Sequence, residues 1–365
     1  MSPAQAGAPR GLPPAVVPFP VAPTYRVRPD LVPLGRAPEQ VDDPGPATLV
    51  RLDDGAPSAL DHALRELEEA PDAVRWADAG VAAERWWGIA NAVAHALAAD
   101  GDPRVGPTAG ELPAADEDVG AAPTSADLVF PWLGLRVTRA GTLERTAPAP
   151  DAPRELAARA PRAADALARL PVATRALDAL RLAIAEDLVV LLRDRRGDGG
   201  RAAYLFVAAP SGWDPGARGN ASFAELHAPV PHAGPLRAAS AAIVDAMVDK
   251  GPFVRYVWSL AADDAASHHP RRHPAVPLSG RDPAAWWLRV ERQTTLPLPD
   301  LGAAAFFIRV LHEPLARAVA GPGRRARMAS AVRSMDAELR AYKGLHGAAA
   351  EALLDGLAGP GVDGG

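Results

Sequence analysis

Two histidines lie in a proline-rich segment whose residue types and spacing suit a reactive site. The segment reads LHAPVPH at positions 226–232, and two prolines restrict the backbone just after His227. An imidazole held on such a stiff loop suits a metal ligand, a general base or an axial ligand of a haem iron. A histidine that only caps a loop is the alternative interpretation.

A strand-like segment at 253–261 places an arginine beside aromatic residues. With the period of two of a strand, Arg255 and Val257 face one side, and Tyr256 and Trp258 face the other. An arginine on a half-buried face would bind an anion, such as a carboxylate or a haem propionate, whereas an arginine on an exposed face would contact water. The sequence leaves both possibilities open.

A second strand-like segment, at 286–293, carries three polar residues on one face. Arg289, Glu291 and Gln293 point to one side, and Arg292 lies on the other side in an apolar row. Three polar side chains in line form either a solvated sheet face or the polar wall of a pocket. In a pocket, Glu291 would pair with an arginine or hydrogen-bond an amine.

The histidine-rich segment HHPRRH at 268–273 is a weaker candidate. The proline within it prevents the helical i, i+4 spacing of histidines that zinc enzymes use. We therefore expect an exposed basic loop, with metal binding as the alternative.

Composition excludes several classes of function. The chain has 365 residues, a net charge of −5 and no cysteine. The charge gives no general attraction to nucleic acid or anionic lipid, and the lack of cysteine excludes disulfides, iron–sulfur clusters and thiolate-ligated haem in this chain. No apolar run approaches the roughly 20 residues of a membrane helix, and the N-terminus does not look like a signal peptide, so we expect a cytoplasmic protein. Glycine motifs that bind nucleotides are absent, so a redox reaction would need electrons from another protein.

The pattern along the chain predicts helices, then a sheet, then helices, within one domain. Short loops between the strands favour an antiparallel sheet, and the fold class is therefore α+β. We expect a disordered tail at 1–17, a single domain at 18–345 with a flexible insertion at 102–126, and a C-terminal helix and tail at 346–365. Prolines limit segment 18–35 to an edge strand. The expected helices are 58–69, 81–99, 153–169, 173–195, 314–320, 324–343 and 346–357, and the expected strands are 203–209, 253–261, 286–293 and 304–310.

Several short motifs occur in one order along the chain. They are P-S-x-W at 210–213, H-A-P-V-P at 227–231, R-x-x-W at 255–258 and R-V-E-R-Q-T at 289–294. This ordered set resembles the haem-dependent oxidative N-demethylase family. Segments 18–35 and 185–188 also look like that family, and the resemblance covers roughly residues 17–345.

The resemblance implies a PAS-like haem-binding fold and an oxygenase reaction. A b-type haem would activate O2 and oxidise an N-methyl group of a small amine such as dimethylamine, and the resulting carbinolamine would release formaldehyde. Electrons would come from NADPH through separate flavin and iron–sulfur reductase components. That electron source agrees with the absence of cysteine and of a nucleotide-binding motif in this chain.

Residue by residue, the resemblance also implies roles for individual side chains. His227 would be the proximal iron ligand, with His232 in reserve, and Arg255 would hold a propionate. Glu291 would be the distal group that orients the amine or relays a proton. Where the family has an asparagine, this chain has Val257. The resemblance therefore does not decide which substrate is used or whether the chain turns it over. The catalytic candidates are Glu291, Arg289 and Gln293, and the cofactor-binding candidates are His227, Arg255, Arg292, His232 and Arg218.

Two other functions are compatible with the sequence. A PAS-like haem protein can act as a gas or redox sensor without turnover, although the C-terminal helices here carry no output motif. A non-catalytic homologue would keep the fold without the cofactor. A non-catalytic homologue without the cofactor would differ from the enzyme in containing no haem. A sensor would contain haem but would release no formaldehyde.

Overall fold

Helices and antiparallel strands together form the fold, which is α+β as predicted. The computed structural model describes residues 12–36, 38–107, 127–193 and 199–358. In these ranges the strands are β1 Val32–Pro33, β2 Arg75–Ala77, β3 Gly106–Pro107, β4 Leu128–Phe130, β5 Leu135–Val137, β6 Leu143–Arg145, β7 Asp187–Leu192, β8 Arg201–Phe206, β9 Phe253–Ala261, β10 Trp287–Leu298 and β11 Ala303–Pro314. The helices there are α1 Ala56–Glu69, α2 Pro71–Val74, α3 Ala83–Ala99, α4 Arg154–Ala157, α5 Ala160–Ala168, α6 Arg175–Ala183, α7 Phe223–Leu226, α8 Gly234–Ala238, α9 Ser240–Asp249, α10 Leu315–Ala318, α11 Arg324–Ser334, α12 Ala337–Tyr342 and α13 Ala348–Ala358. None of the helices in the described ranges combines the length and apolar character needed to cross a membrane.

A large sheet organises the described part of the chain, in the strand order β1-β9-β10-β11-β7-β8-β2. Strands β10 and β11 form a long hairpin whose turn contains Gly302 at a φ of +53°. A glycine suits this turn because a side chain is disfavoured at positive φ. Strand β9 pairs along most of β10 on the other side. The short strand β1 is an edge strand, as its prolines predict.

The two faces of the large sheet are packed to different degrees. We call the face that carries Glu291 the front face and the face that carries Arg292 the back face. Two hydrophobic clusters, supplied by helices α1, α3, α5 and α6 and by α10–α13, cover the back face. A smaller cluster from α7–α9 covers the front face over β7, β8 and the start of β11, and α9 also contacts β10.

The helix predicted at 173–195 is wrong in its second half. Helix α6 ends at Ala183, and the following apolar run is strand β7, buried on both faces. A short run of this kind has no period that separates a buried strand from a helix. Here Asp187 fixes the start of the strand, since its carboxylate accepts hydrogen bonds from the backbone N–H groups of Ala208 and Ala209 and pairs with Arg181.

A second, small sheet contains strands β3, β4, β5 and β6 and was not predicted. It flanks the insertion expected at 102–126, of which residues 108–126 lie outside the described residues. Of the expected tails, residues 1–11 and 359–365 also lie outside them. Within the remaining part of the N-terminal tail, the backbone N–H of Ala15 donates to Asp54.

Candidate functional site

The centre of the front face is only partly covered. On β9, β10 and β11 almost every back-face residue is buried, whereas most front-face residues are only half-buried. Every strand pair of this sheet is antiparallel, and such sheets commonly pack one face on the core and leave part of the other open. We call this half-open region the front cleft. Its half-buried floor residues are Arg255, Val257, Ser259, Glu291, Gln293, Ile308, Val310 and His312.

The strand register arranges the floor in three rows. Glu291 lies between Val257 and Val310, so the carboxylate is flanked by two apolar side chains. Gln293 lies between Arg255 and Ile308 in the next row. The third row, on the other side of Glu291, is Ser259, Arg289 and His312.

His227 lies on the front-face side of the sheet, and one of its ring nitrogens is already hydrogen-bonded. It ends helix α7, whose start is fixed by a capping box between Ser222 and Glu225. Its Nδ1 lies 2.8 Å from the carbonyl oxygen of Phe223. Because a carbonyl only accepts, Nδ1 carries the proton and Nε2 keeps its lone pair. Burial and the guanidinium of Arg255 lower the pKa of His227, so the imidazole is neutral. A neutral histidine that donates its other N–H to a backbone carbonyl is typical of metal ligands.

Unlike His227, His232 is exposed and contacts a carboxylate. Its side chain is 49% exposed, and its Nε2 lies 2.6 Å from a carboxylate oxygen of Asp336. Asp336 also caps helix α12 by accepting from the backbone N–H of Leu339. His232 therefore fastens the segment after His227 to α12, and the Nε2 atom already has a partner.

Glu291 lies in a half-buried, positively charged environment. Its Oε2 accepts a hydrogen bond of 2.8 Å from the amide of Gln293. The cations that act on it are Arg255, Arg289 and Lys343. Burial lowers the pKa of Lys343 to about 8, and its ammonium donates a 2.5 Å hydrogen bond to the carbonyl oxygen of Trp258.

Arg289 and His312 form the polar end of the cleft. The buried guanidinium of Arg289 donates 2.8 Å hydrogen bonds to the carbonyls of Ala209 and Ala266, and it lies 3.1 Å from Nε2 of His312. Burial and the charge of Arg289 lower the pKa of His312 to about 3, so Nε2 accepts from Arg289. His312 was not among the predicted site residues, because the predicted strand ended at 310 whereas β11 continues to Pro314.

Arg255 is the cleft cation without a hydrogen-bond partner among the described residues. Its Nε is buried and unpaired, and the carboxylates of Asp30 and Glu291 act on it only from a distance. Of the two environments that the sequence left open for Arg255, the structure shows the half-buried one.

Arg292 and Arg218 lie away from the front cleft. Arg292 is buried on the back face and donates to the carbonyls of Pro46, Thr48 and Leu49. Arg218 lies near Glu225, and the adjacent Gly219 packs against Trp76 of β2, which is the edge of the large sheet farthest from β1. The structure therefore brings Arg255, Arg289, Glu291 and Gln293 together on one face, with His227 close enough to Arg255 to feel its charge. Arg292 and Arg218 are separated from this group.

The segment at 268–273 is not the exposed basic loop that was expected. His269 is 1% exposed and lies 3.3 Å from Asp214, while Arg272 and His273 pair with Glu66 of α1. Acidic partners distant in sequence thus fold the segment against the domain. In the part of the chain that the structure describes, no group of three or more histidines and carboxylates is placed to hold a metal ion.

Comparison with known families identifies the family of this chain. Residues 160–353 match the family described as haem-dependent oxidative N-demethylase, alpha subunit-like. The chain belongs to this family. No match to a curated protein was found. The matched span contains every strand of the front cleft and every predicted site residue, but it excludes the segments before residue 160 that pack on the same sheet.

The cleft residues fit a haem. The Nε2 atom of His227 is available to an iron, and the unpaired Arg255 suits a carboxylate such as a propionate. Val257, Ile308 and Val310 supply half-buried apolar surface for a flat ring.

Proposed function

We propose that this chain is a cytoplasmic haem-dependent oxidative N-demethylase, which binds a b-type haem in a PAS-like fold and oxidises an N-methyl group of a small amine with release of formaldehyde. The observation that carries the proposal is His227. Its Nδ1 donates to the carbonyl of Phe223, and its Nε2 is left available beside a half-open cleft that contains a carboxylate. The family match over residues 160–353 supports the same reaction class.

His227 would hold the iron, and the neutral state of its imidazole is the state that binds metal. Arg255 would bind a carboxylate at the β9 side of the cleft. The bound haem would supply the activation of O2 and the oxidation of the methyl carbon. The electrons would come from NADPH through a separate flavin and iron–sulfur reductase, since this chain has no cysteine for a cluster.

Glu291 would bind the amine and take its proton. At neutral pH a small alkylamine is protonated, and oxidation beside the nitrogen is favoured when the nitrogen lone pair is free. The Gln293 amide fixes Oε2 of Glu291, which leaves Oε1 for the amine N–H. The flanking Val257 and Val310 would reduce the contact of the carboxylate with water once a ligand covers the face, which would strengthen its interaction with the amine. Arg289 would hold the cleft wall in place through the Ala209 and Ala266 carbonyls.

Absorption spectroscopy of the protein expressed with a haem precursor tests the iron ligand. We expect the wild type to show a Soret band that shifts when dithionite and CO are added. His227→Ala should lose or strongly alter that band, whereas His232→Ala should keep it because His232 pairs with Asp336. Loss of the band in His232→Ala alone would contradict the assignment of His227.

Formaldehyde release from small methylamines tests the reaction. A haem-bound protein that releases none with O2 and a reductant would be a sensor or another non-catalytic member of the family. A protein that takes up no haem would contradict the proposed function altogether.

A further inference from the structure

Opposite charges on neighbouring strands of the front cleft are left unpaired. Arg255 and Glu291 lie on the same face in adjacent rows, yet no ion pair joins them within the described residues. Glu291 accepts from Gln293, and the buried Nε of Arg255 has no partner there. Charged groups that are removed from water ordinarily pair. Both groups are therefore arranged for a ligand that brings an opposite charge to each.

The remaining cations around Glu291 already have partners. Arg289 donates to two backbone carbonyls, and Lys343 donates to the carbonyl of Trp258. A simple ammonium ion that approached Glu291 would also meet the repulsion of Arg255, Arg289 and Lys343, whose charges all act on this carboxylate. A molecule that carries its own carboxylate would be neutral overall and would neutralise Arg255.

We propose that the substrate is an N-methylated amino acid, with its amine on Glu291 and its carboxylate on Arg255. This inference rests on the proposed function and adds the substrate class. Arg255 and Glu291 are diagonal neighbours on paired strands, and the Cα atoms of such neighbours lie about 7–8 Å apart, within reach of long side chains. An α-amino acid that is hydrogen-bonded at both ends spans a similar distance.

The reaction balances for N-methylglycine. One O2, two electrons from the separate reductase and two protons convert the methyl group to a hydroxymethyl group and form one water. The C–N bond then breaks with its electron pair remaining on nitrogen, and the hydroxyl proton moves to that nitrogen. The products are glycine and formaldehyde.

The carboxylate at Arg255 has two possible sources, the substrate and a haem propionate. The haem-loaded full chain should therefore be compared as wild type, Arg255→Met and Arg28→Met. Arg28 is an exposed arginine outside the cleft and serves as the matched control. The ligands are N-methylglycine, its uncharged analogue N-methylglycinamide, and dimethylamine. The measurements are the haem dissociation constant, ligand binding from the change in the Soret band, and formaldehyde release.

We expect the wild type to bind N-methylglycine about 30-fold more tightly than N-methylglycinamide, as a charge-assisted contact to a guanidinium allows. Arg255→Met should remove this preference and leave the haem dissociation constant within about twofold of the wild type, while Arg28→Met should change neither. A lowered haem affinity in Arg255→Met, with unchanged ligand preference, would assign the arginine to a propionate and overturn the proposal.

Equal binding of N-methylglycine and its amide to the wild type would also overturn the proposal. This comparison needs no variant, so it decides the matter even if Arg255→Met does not fold. Formaldehyde from dimethylamine but not from N-methylglycine would reject the substrate class and keep the proposed function. Tight, Arg255-dependent binding of N-methylglycine without formaldehyde from any amine would reject the proposed function and keep the binding assignment.

Discussion

The two imidazoles beside the front cleft are neutral for the same physical reason. Burial and a neighbouring guanidinium lower the pKa of each, with Arg255 acting on His227 and Arg289 acting on His312. Each imidazole also has one nitrogen fixed by a hydrogen bond, to the Phe223 carbonyl in His227 and to Arg289 in His312. The side chains are thereby set in one tautomer before any ligand binds, which lowers the cost of binding.

Glu291→Gln removes the carboxylate but keeps the size of the side chain. We expect the haem content to stay unchanged and the rate of formaldehyde release to fall about 100-fold, since general-base contributions are commonly of that size. Glu313→Gln is the matched control, because Glu313 lies on the back face of β11. Equal rates in wild type and Glu291→Gln would exclude Glu291 as the proton acceptor.

His312 should make the fold sensitive to acid. Its pKa is about 3 in the folded protein and 6.5 in the unfolded chain. Between these values the unfolded state binds more protons, so the free energy of unfolding falls as the pH decreases from 6.5 towards 3. His312→Gln keeps an acceptor for Arg289 and lacks this titration. We therefore expect the free energy of unfolding, measured with urea between pH 7 and pH 4, to fall more steeply with decreasing pH in the wild type than in His312→Gln. Parallel pH profiles of the two proteins would contradict this assignment.

Strand β10 serves two functions through its two faces. Its front-face residues Arg289, Glu291 and Gln293 line the cleft. On the back face, Arg292 and Thr294 hydrogen-bond to carbonyls of the segment at 46–49. The back face of β10 thus holds the segment at 46–49 by hydrogen bonds. We call this set of hydrogen bonds the clamp, and we expect it to stabilise the strand that carries Glu291.

Arg292→Gln tests the clamp. The substitution leaves carbonyls of Pro46, Thr48 and Leu49 without their donor, and we expect the free energy of unfolding to fall by about 2–4 kcal/mol. The Soret maximum should not move, because Arg292 lies on the face opposite the cleft. The exposed Arg26→Gln is the control and should change stability by less than about 0.5 kcal/mol. A shifted Soret band with unchanged stability would place Arg292 at the haem instead.

At the scale of the whole molecule, segments from both ends of the chain meet beside the cleft. The backbone N–H of Tyr25 donates to Ser334, and the ammonium of Lys343 lies 5.0 Å from the ring centre of Tyr25. Tyr25 lies outside the span that matches the family, which begins at residue 160. The N-terminal segment therefore contributes to the environment of Arg255 and Lys343, and a shortened chain that lacks it would change that environment.

The dependence on a separate reductase is testable on the isolated chain. We expect the haem-loaded protein to release no formaldehyde from NADPH, O2 and a methylamine, because it contains neither cysteine nor a nucleotide-binding glycine motif. One-electron reduction of the haem iron, removal of the excess reductant and addition of O2 should release at most about one formaldehyde per two haems, because each turnover needs two electrons. Repeated turnover with NADPH alone would contradict the requirement for a partner.

The sequence by itself determined the features that depend on local period and chemistry. Strand β9 has the predicted bounds, and the side chains at 289, 291 and 293 share a face opposite Arg292, because alternation in a strand is a local property. The fold class followed from the order of such segments. The motif order also indicated the family that the match over residues 160–353 shows.

Only the tertiary structure decided the features that depend on distant partners. Strand β7 replaces the end of a predicted helix because Asp187 meets backbone donors twenty residues further along the chain. His232 pairs with Asp336, and His269 is buried beside Asp214, through contacts that no local pattern specifies. His312 faces the cleft because of the register between β10 and β11. Which charges remain unpaired, as Arg255 does, is likewise set by long-range packing, and this is the property that binding depends on.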